Sequence, residues 1–349
     1  MKKRLGGSRI IKTGLAVLLT AWVCELIGWP PVFAVITAIV TIEPTVSDSI
    51  KKGIVRFPAS AIGSAYAVIF ISLFGNSPIT YTLAAVLTIA TCFKLNLHAG
   101  LLVATLTSVA MVEVIHEHLF IAFLIRLGTT TIGLVISTAV NMFILPPDYR
   151  EDIFTNIGKI TNHTAYLINK IYSDSISVNK ANRTKSSTLL IKLEKKLNNT
   201  LRLIQFQKDE LKYHPLVASE EKLFLQLEEQ AKLLQKMHGR LEYLLHHPMD
   251  DLNWNEEEKE LIHTAVQELA DSLQDKRRFD LSIHLENKQK ITSRFWQDRT
   301  NFMKNTESHS TTIQPEIILL YELSTLFNLV ERFLKEDRDN SKEPERMMT

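Results

Sequence analysis

The sequence predicts an all-α protein in which a six-helix transmembrane module is followed by a cytosolic α-helical bundle domain. The first observation is a division in charge. Residues 57–93 contain no Asp, Glu, Lys or Arg, whereas hardly a run of ten residues from Asp148 onward lacks one. The second is that the Lys and Arg residues of the front half collect at alternate connections, as they do at the cytoplasmic ends of membrane helices. The two halves are therefore suited to different solvents, lipid for the first and water for the second.

Apolar segments of nearly membrane-spanning length fill the first part of the chain. A helix needs roughly 20 residues to cross a bilayer core about 30 Å thick. Six segments approach that length, and they run over 10–28, 32–48, 53–74, 78–97, 99–115 and 119–145. Stretches rich in Pro, Gly, Asn and Lys separate them. We assign residues 1–147 to the transmembrane module, and we interpret the first segment as a retained helix rather than a cleaved signal peptide.

The placement of basic residues predicts the orientation of the module. With the N-terminus inside and six crossings, the basic residues near the connections fall on the cytoplasmic side; they are Lys51, Lys52, Arg56, Lys94 and Arg150. The three opposite connections contain no Lys or Arg. Arg126 departs from this pattern, but it lies inside the sixth segment rather than in a connection. We therefore expect both termini in the cytoplasm.

Residues 148–336 predict a cytosolic helical domain, because their apolar residues recur with helical spacing among many charges. Helices are expected over 148–172, 187–213, 219–246, 256–276, 280–306 and 315–335. Along the third of these, leucines predict a stripe facing the bundle; they are Leu223, Leu227, Leu234, Leu241 and Leu245. Residues 173–187 and 307–312 are expected to be loops, and 337–349 a disordered tail.

Ionisable groups inside the apolar segments are informative, because each costs about 2.5–3.5 kcal/mol on insertion and usually has a partner or an aqueous cavity. Glu25 lies about one turn from the outer end of the first segment, and Arg126 about two turns from the outer end of the sixth. Both are expected at similar depth in the outer leaflet. The sequence allows an ion pair that fixes helix packing, or an aqueous pocket shared with Glu113 and His116.

The sixth segment carries a polar stripe that consists of Arg126, Thr130, Gly133, Ser137 and Asn141. Their spacing places them on one face of a helix. Such a stripe should not face lipid, so it either packs against another helix through hydrogen bonds or lines a solute path. Because a guanidinium can hold a carboxylate with two hydrogen bonds, Arg126 is the best candidate for contacting an anion. Thr130, Ser137 and Asn141 complete the predicted substrate-binding set.

The second segment also presents a polar face, formed by Thr37, Thr41, Thr45 and Asp48. Glu43-Pro44 interrupts it, and a proline inside a helix removes a backbone hydrogen bond and bends or ends the helix. Unwound backbone at membrane depth needs cover from protein or water. The sequence leaves open an inner gate or a simple helix end. The candidates for coupling or gating are Glu25, Glu43, Pro44, Asp48 and Glu113.

Small residues in the module are interpreted as packing groups. Ala59, Gly63 and Ala67 form a small-residue face on the third segment, suited to close contact between helices. Cys24 and Cys92 are expected near opposite faces of the membrane, too far apart for a disulfide.

Several classes of function lack their sequence signals. The sequence contains no G-x-x-x-x-G-K-[ST] loop, which argues against ATP-driven transport by this chain alone. His116-Glu117-His118 lacks the spacing of a helical metal site, and no nucleophile with a base and an orienting acid can be assembled. The net charge of +2 does not favour nucleic acid. We therefore expect a non-enzyme without cofactor or metal.

Five short sequences resemble the bacterial aromatic acid exporter family, which belongs to the fusaric acid resistance superfamily. They lie at 9–14 (RIIKTG), 30–34 (PPVFA), 42–45 (IEPT), 73–78 (LFGNSP) and 141–147 (NMFILPP). The likeness covers the membrane half, and the rest resembles the helical C-terminal domain often attached to it. The resemblance implies a bacterial plasma-membrane protein that exports aromatic or related small organic acids. It also implies a homodimer, since this chain has one module where larger exporters have two.

Three functional hypotheses follow. The first is a secondary exporter of small organic anions, with Arg126 near the solute and Glu25 or Glu43 carrying a coupling proton. The second is a passive organic-anion channel, similar to the plant malate channels of the same superfamily. The third is a non-transporting membrane anchor whose cytosolic bundle binds a partner.

Overall fold

The computed structural model describes residues 2–114, 118–144, 146–176, 180–247, 252, 254–305 and 314–341. Over these residues the chain forms twelve α-helices and two short 3-10 turns, with no β-strand, which confirms the all-α class. The chain divides into two compact units. Unit 1 comprises Met1–Tyr149 and Gln205–Pro215, and unit 2 comprises Arg150–Ile204 and Leu216–Thr349.

Unit 1 is built on two central helices. Its helices are α1 (Lys2–Ile27), α2 (Val32–Thr41), α3 (Val46–Phe74), α4 (Pro78–Lys94), α5 (Leu101–Val114) and α6 (Leu119–Phe143). α3 packs against α4, α5 and α6, and α6 also packs against α1 and α2. α6 therefore contacts three of the other five helices over 1–149 in this unit.

The helices of unit 1 bury many hydroxyl side chains and expose large apolar ones, unlike a water-soluble bundle. Fully buried hydroxyl residues include Thr20, Thr37, Ser60, Ser64 and Thr88. Large apolar side chains stand on the outer surface, among them Trp22, Leu73 and Phe143, each more than half exposed. This arrangement fits a lipid surrounding, because exposed apolar side chains are unfavourable in water but not in lipid.

Among the described residues, three helices are long and apolar enough to cross a membrane: Arg9–Ile27, Val46–Phe74 and Leu119–Phe143. Three further apolar helices are shorter, namely Val32–Thr41, Pro78–Lys94 and His98–Glu113. The shortest is α2, and its ten residues rise only about 15 Å.

The second predicted segment is not one helix. α2 ends at Thr41 and α3 begins at Val46, because Pro44 has no N–H to donate and disfavours helical geometry in the residue before it. Thr45 and Asp48 therefore belong to the start of α3, where the Thr45 hydroxyl accepts the Asp48 N–H at 3.0 Å. A break between helices was expected after the segment 32–48, at residues 51–53, and this prediction was wrong. These residues lie within α3, and lysine is a good helix former.

Small residues allow close helix contacts at two places in unit 1. A Cβ at Gly63 of α3 would collide with the Ala104 carbonyl of α5, and one at Gly133 of α6 would collide with the Ala34 carbonyl of α2. The packing role expected for the Gly63 face is confirmed. Cys24 and Cys92 are both buried and free.

Unit 2 is a bundle of long amphipathic helices. They are α7 (Arg150–Ile176), α8 (Lys180–Leu211, whose last turns from Gln205 belong to unit 1), α9 (Ala218–His246), α10 (Glu256–Gln274), α11 (Leu281–Asn305) and α12 (Pro315–Ser341). α7 packs against α9 and α10, and α12 packs against α9 and α11.

The predicted leucine stripe of α9 is confirmed in its middle and wrong at its start. Leu227, Leu234 and Leu241 are buried, but Leu223 is half exposed and Leu245 is partly buried. At the start of α9 the position facing the core is taken by Phe224.

Two predicted loops have different outcomes. Helix replaces most of the loop expected over 173–187, because α7 continues to Ile176 and α8 begins at Lys180. The loop expected over 307–312 lies outside the described residues. α12 continues to Ser341, so it enters the tail expected over 337–349, and the residues after Ser341 are also outside the description.

Candidate functional site

The polar stripe of α6 lies in the interior of unit 1. Its members are all buried, with Arg126 3% exposed and Thr130, Ser137 and Asn141 fully enclosed. Because α6 packs against α1, α2 and α3, the stripe faces protein rather than the outer surface. The helical spacing read from the sequence thus corresponds to one buried face.

Arg126 is a buried cation with spare hydrogen-bond donors. Its Nη2 donates to the Thr107 hydroxyl of α5, and its guanidinium carbon lies 4.5 Å from the ring centre of Phe33 of α2. Its Nε and Nη1 have no hydrogen-bond partner among the described residues. A guanidinium in a low-dielectric site normally has an acceptor on each edge, so these two nitrogens are available to an anionic acceptor.

The acidic residues proposed as partners of Arg126 lie elsewhere. Glu25 is exposed on α1, and within the described part of the chain no carboxylate forms an ion pair with Arg126. Glu113 is exposed near the end of α5, where its Oε2 accepts the Tyr81 hydroxyl at 2.6 Å. His116 lies outside the described residues.

The hydroxyls of the stripe use their protons inside α6. Ser137 Oγ donates to the Gly133 carbonyl at 2.6 Å, and Thr130 Oγ1 donates to the Arg126 carbonyl at 2.9 Å. Thr130 Oγ1 also lies 3.3 Å from Ser60 Oγ of α3. These oxygens therefore remain acceptors, and the free donors that suit an anion belong to Arg126.

A second polar region, the Glu43 cluster, lies where α6 ends and α3 begins. We define it as Lys12, Glu43, Ser49, Arg56 and Asn141. Asn141 Nδ2 donates to the Glu43 carbonyl at 3.2 Å and to Ser49 Oγ at 3.0 Å, while its Oδ1 accepts Lys12 Nζ at 2.9 Å. One amide thus links α1, α3, α6 and the connection between α2 and α3.

The Glu43 carboxylate holds two cations. Lys52 Nζ lies 2.8 Å from Oε2, and Arg56 Nη2 lies 2.7 Å from Oε1. Arg56 Nε also donates to the Ala99 carbonyl at 3.2 Å, which joins this site to the connection between α4 and α5. Burial alone would raise the pKa of Glu43, but the hydrogen bonds from Lys52 and Arg56 outweigh it and lower that pKa. Glu43 is therefore ionised at neutral pH.

Three carbonyls of the unwound backbone around Pro44 are bonded to side chains. The carbonyls of residues 42, 43 and 44 accept hydrogen bonds from Arg9, Asn141 and Tyr149 in that order. The distances are 3.3, 3.2 and 2.6 Å. Side chains thus supply the donors that the missing helical turn does not, as backbone near a membrane requires.

The sequence did not single out four of the residues that build this region. Lys12 was not singled out among the Lys and Arg residues of the front half, yet it is 4% exposed and bonded to Asn141. Ser49 and Tyr149 carried no pattern, and Glu210 lies far along the chain. Its Oε1 accepts the Val46 N–H at 2.5 Å. A lysine followed by an apolar helix was the one available signal.

Among the described residues, no group of three or more His, Cys, Asp or Glu side chains could hold a metal ion. The His116-Glu117 pair considered above is outside that set, and His118 directly precedes α6.

Comparison with known proteins places the chain in a family. Residues 5–144 match the model of aromatic acid exporter family member 1. The chain is 46% identical to UPF0421 protein OB2406 of Oceanobacillus iheyensis over 94% of both chains. It is 39% identical to UPF0421 protein BCE33L2478 of Bacillus cereus, over 93% of this chain and 92% of that protein. It is 35% identical to UPF0421 protein BH2644 of Halalkalibacterium halodurans, over 93% and 89%. The chain is a membrane protein that belongs to the UPF0421 proteins and, through residues 5–144, to the aromatic acid exporter family.

Proposed function

We propose that this protein is a secondary exporter of small organic anions, including aromatic acids, and that Arg126 contacts the carboxylate of the solute. The observation that carries the proposal is the buried guanidinium whose Nε and Nη1 have no partner in the described structure. Membership of the exporter family and the apolar helices support transport over catalysis.

The energetics of a buried cation favour an anionic ligand at Arg126. Taking a charge out of water costs several kcal/mol unless an opposite charge and hydrogen bonds compensate. A carboxylate would supply both, through charge-assisted hydrogen bonds from the free nitrogens. Phe33 lies beside the guanidinium and offers a ring face or edge to an aromatic solute. This combination suits an aromatic acid.

We also propose a membrane topology for the module, from its apolar helices and the positions of its basic residues. The module crosses the plasma membrane six times, with short helices such as α2 completing their crossings through adjoining connections. The Glu43 end, where Lys12, Lys52 and Arg56 gather, faces the cytoplasm as the rule for positive charge requires. Both termini and the domain over 148–336 are then cytoplasmic, and two copies form a homodimer.

Coupling to protons requires a carboxylate that changes its charge. Glu43 is held ionised by Lys52 and Arg56, so it suits a structural role at the connection. Glu25 is exposed on α1, and we assign the coupling proton to it.

The proposal is tested by flux of radiolabelled benzoate-type acids in proteoliposomes. Arg126→Gln is expected to lower the rate about tenfold or more, because a hydrogen bond to a charged group contributes about 1.5–3 kcal/mol. Arg126→Lys keeps the charge but loses the planar fork, so an intermediate rate is expected. Arg277→Gln is the control, since Arg277 is 92% exposed outside the module. Wild-type flux in Arg126→Gln would remove Arg126 from the solute path.

The same purified protein and its variants distinguish the exporter from the channel and anchor hypotheses. Steady unitary currents in planar bilayers would replace the exporter with a passive channel. Unchanged function in all stripe variants would replace it with a membrane anchor.

A further inference from the structure

A segment from the end of α8 lies on the transmembrane helices of unit 1. This segment, Gln205–Pro215, is separated from the rest of unit 1 by more than fifty residues of chain, yet it belongs to that unit by its contacts. Its Glu210 side chain is 1% exposed, and Oε1 accepts the backbone N–H of Val46 at 2.5 Å. Val46 is the first residue of α3, so the segment contacts the helix start directly after the Pro44 break.

Three more contacts hold the same segment. Gln207 Oε1 accepts the Tyr149 N–H at 2.8 Å, and the Phe206 ring lies 5.7 Å from the Tyr149 ring. His214 Nε2 lies 3.0 Å from the Met142 carbonyl at the end of α6. The contacts therefore reach α3, α6 and the chain that follows α6.

These contacts converge on the Glu43 cluster. Tyr149 donates its hydroxyl to the Pro44 carbonyl at 2.6 Å while its backbone binds Gln207. Met142, which His214 contacts, directly follows Asn141. Ser49 and Asn141 of that cluster are fully enclosed. The polar stripe is therefore closed to water at this end.

Charge explains why the segment can bind here and why it can be released. Lys12, itself buried, attracts the Glu210 carboxylate, and the Val46 N–H and His214 bind its two oxygens. The burial of a carboxylate opposes these gains, so part of the attraction is lost to desolvation. A gate requires that the docked state is not held too strongly.

We infer that Gln205–Pro215 is a built-in gate that closes the Glu43 end of the transmembrane module and must undock before water or solute reaches the polar stripe. The inference rests on the proposed transport function. α8 is one continuous helix from Lys180 to Leu211, and its part before Gln205 belongs to unit 2.

The test measures access of water to the stripe, without any solute. A single reporter, Ser137→Cys, is placed in a chain whose two native cysteines are replaced by alanine. A water-soluble methanethiosulfonate reagent is added to unsealed membranes that contain the full chain. Ser137 bonds only within α6 among the described residues, so the reporter leaves the gate contacts intact.

Glu210→Ala is expected to raise the labelling rate about tenfold or more, because it leaves the buried Val46 N–H without an acceptor. Tyr149→Phe removes only the hydroxyl that binds Pro44, and about a threefold to tenfold rise is expected. Asp209→Ala is the matched control, since its carboxylate interacts with Lys212 and Gln205 inside the segment. Its labelling should equal that of the parent.

Equal labelling of the parent, Glu210→Ala and Tyr149→Phe would overturn the inference. Folding is checked by size-exclusion elution, and if Glu210→Ala does not fold, Tyr149→Phe decides alone. A rise in labelling, together with no solute flux in the chain that retains Ser137, would retain the gate and refute the transport proposal. A solute flux that depends on Arg126, with labelling unchanged in Glu210→Ala and Tyr149→Phe, would support the transport proposal and refute the gate.

Discussion

Asn141 at the end of α6 donates its side-chain amide to the backbone carbonyl of Glu43, 98 positions earlier in the chain. The oxygen of the same side-chain amide accepts a hydrogen bond from Lys12 Nζ. One side chain thus satisfies an unwound carbonyl and a buried cation at once. The polar stripe of α6 therefore ends on the connection that Pro44 forces out of the helix.

Asn141→Ala should destabilise the protein. The substitution leaves the Glu43 carbonyl and Lys12 without their partner, and a buried unsatisfied group costs about 1–3 kcal/mol. The thermal unfolding midpoint in detergent is expected to fall. Asn198→Ala is the control, because Asn198 is exposed on α8 and should leave the midpoint unchanged. Equal midpoints for the two variants would mean that the Asn141 bonds contribute nothing to stability.

Phe33→Leu should alter solute preference more than overall rate. Leucine preserves an apolar contact beside Arg126 but removes the ring, and an aromatic pair contributes about 0.5–1.5 kcal/mol beyond burial. Aromatic acids should therefore lose about twofold to tenfold against aliphatic acids of the same charge. Competition assays in proteoliposomes measure this ratio, and an unchanged ratio would exclude Phe33 from contact with the solute.

Two glycine substitutions should have opposite effects. Gly63→Ala puts a methyl group into the Ala104 carbonyl, so α3 and α5 must separate and the folded yield should fall. Gly239→Ala, in α9, has nothing within 4 Å of the new methyl and should stabilise the chain by up to about 1 kcal/mol. Unfolding midpoints of the two variants, compared with wild type, check both signs.

The protein should lose stability on acidification as Glu331 becomes protonated. Hydrogen bonds from Lys288 and Lys335 lower the pKa of Glu331 to about 2. An unfolded glutamate has a pKa of about 4.3, so this pair of contacts stabilises the fold above that pH. The stabilisation is lost as the pH falls from about 4.3 towards about 2.

The matching variant is Glu331→Gln. Its unfolding midpoint should lie below wild type at pH 7, and the difference should shrink as the pH approaches about 3. Glu242→Gln, on an exposed position of α9, should show no such convergence. A constant difference between Glu331→Gln and wild type across this range would contradict the assignment.

Local pattern was enough to predict most helices and the buried stripe. The spacing from Arg126 to Asn141 corresponds to one interior face because helix geometry alone determines it. The start of α3 was missed, since Lys51 and Lys52 resemble a polar turn until Glu43 is known to bind Lys52. The side chain that would define a helix start, Thr45, was read as part of the preceding helix.

Contacts distant in sequence were beyond prediction. Glu210 and Val46 are 164 positions apart, and nothing in the pattern of α8 distinguishes Glu210 from its solvated neighbours. Lys12 is bonded to Asn141 from the other end of the module, and its place in the sequence gives no sign of that partner. Such pairings arise from tertiary packing, which one sequence without its relatives does not reveal.

The course of α8 has a consequence for how these genes can be cut and recombined. A truncated product that stops after Tyr149 would retain every apolar helix of unit 1 and still be an incomplete body, because residues 205–215 are missing from it. Chimeras that exchange the hydrophilic half between relatives should therefore tolerate junctions poorly at residue 150. They should survive better when the donor and recipient agree at positions 207, 210 and 214.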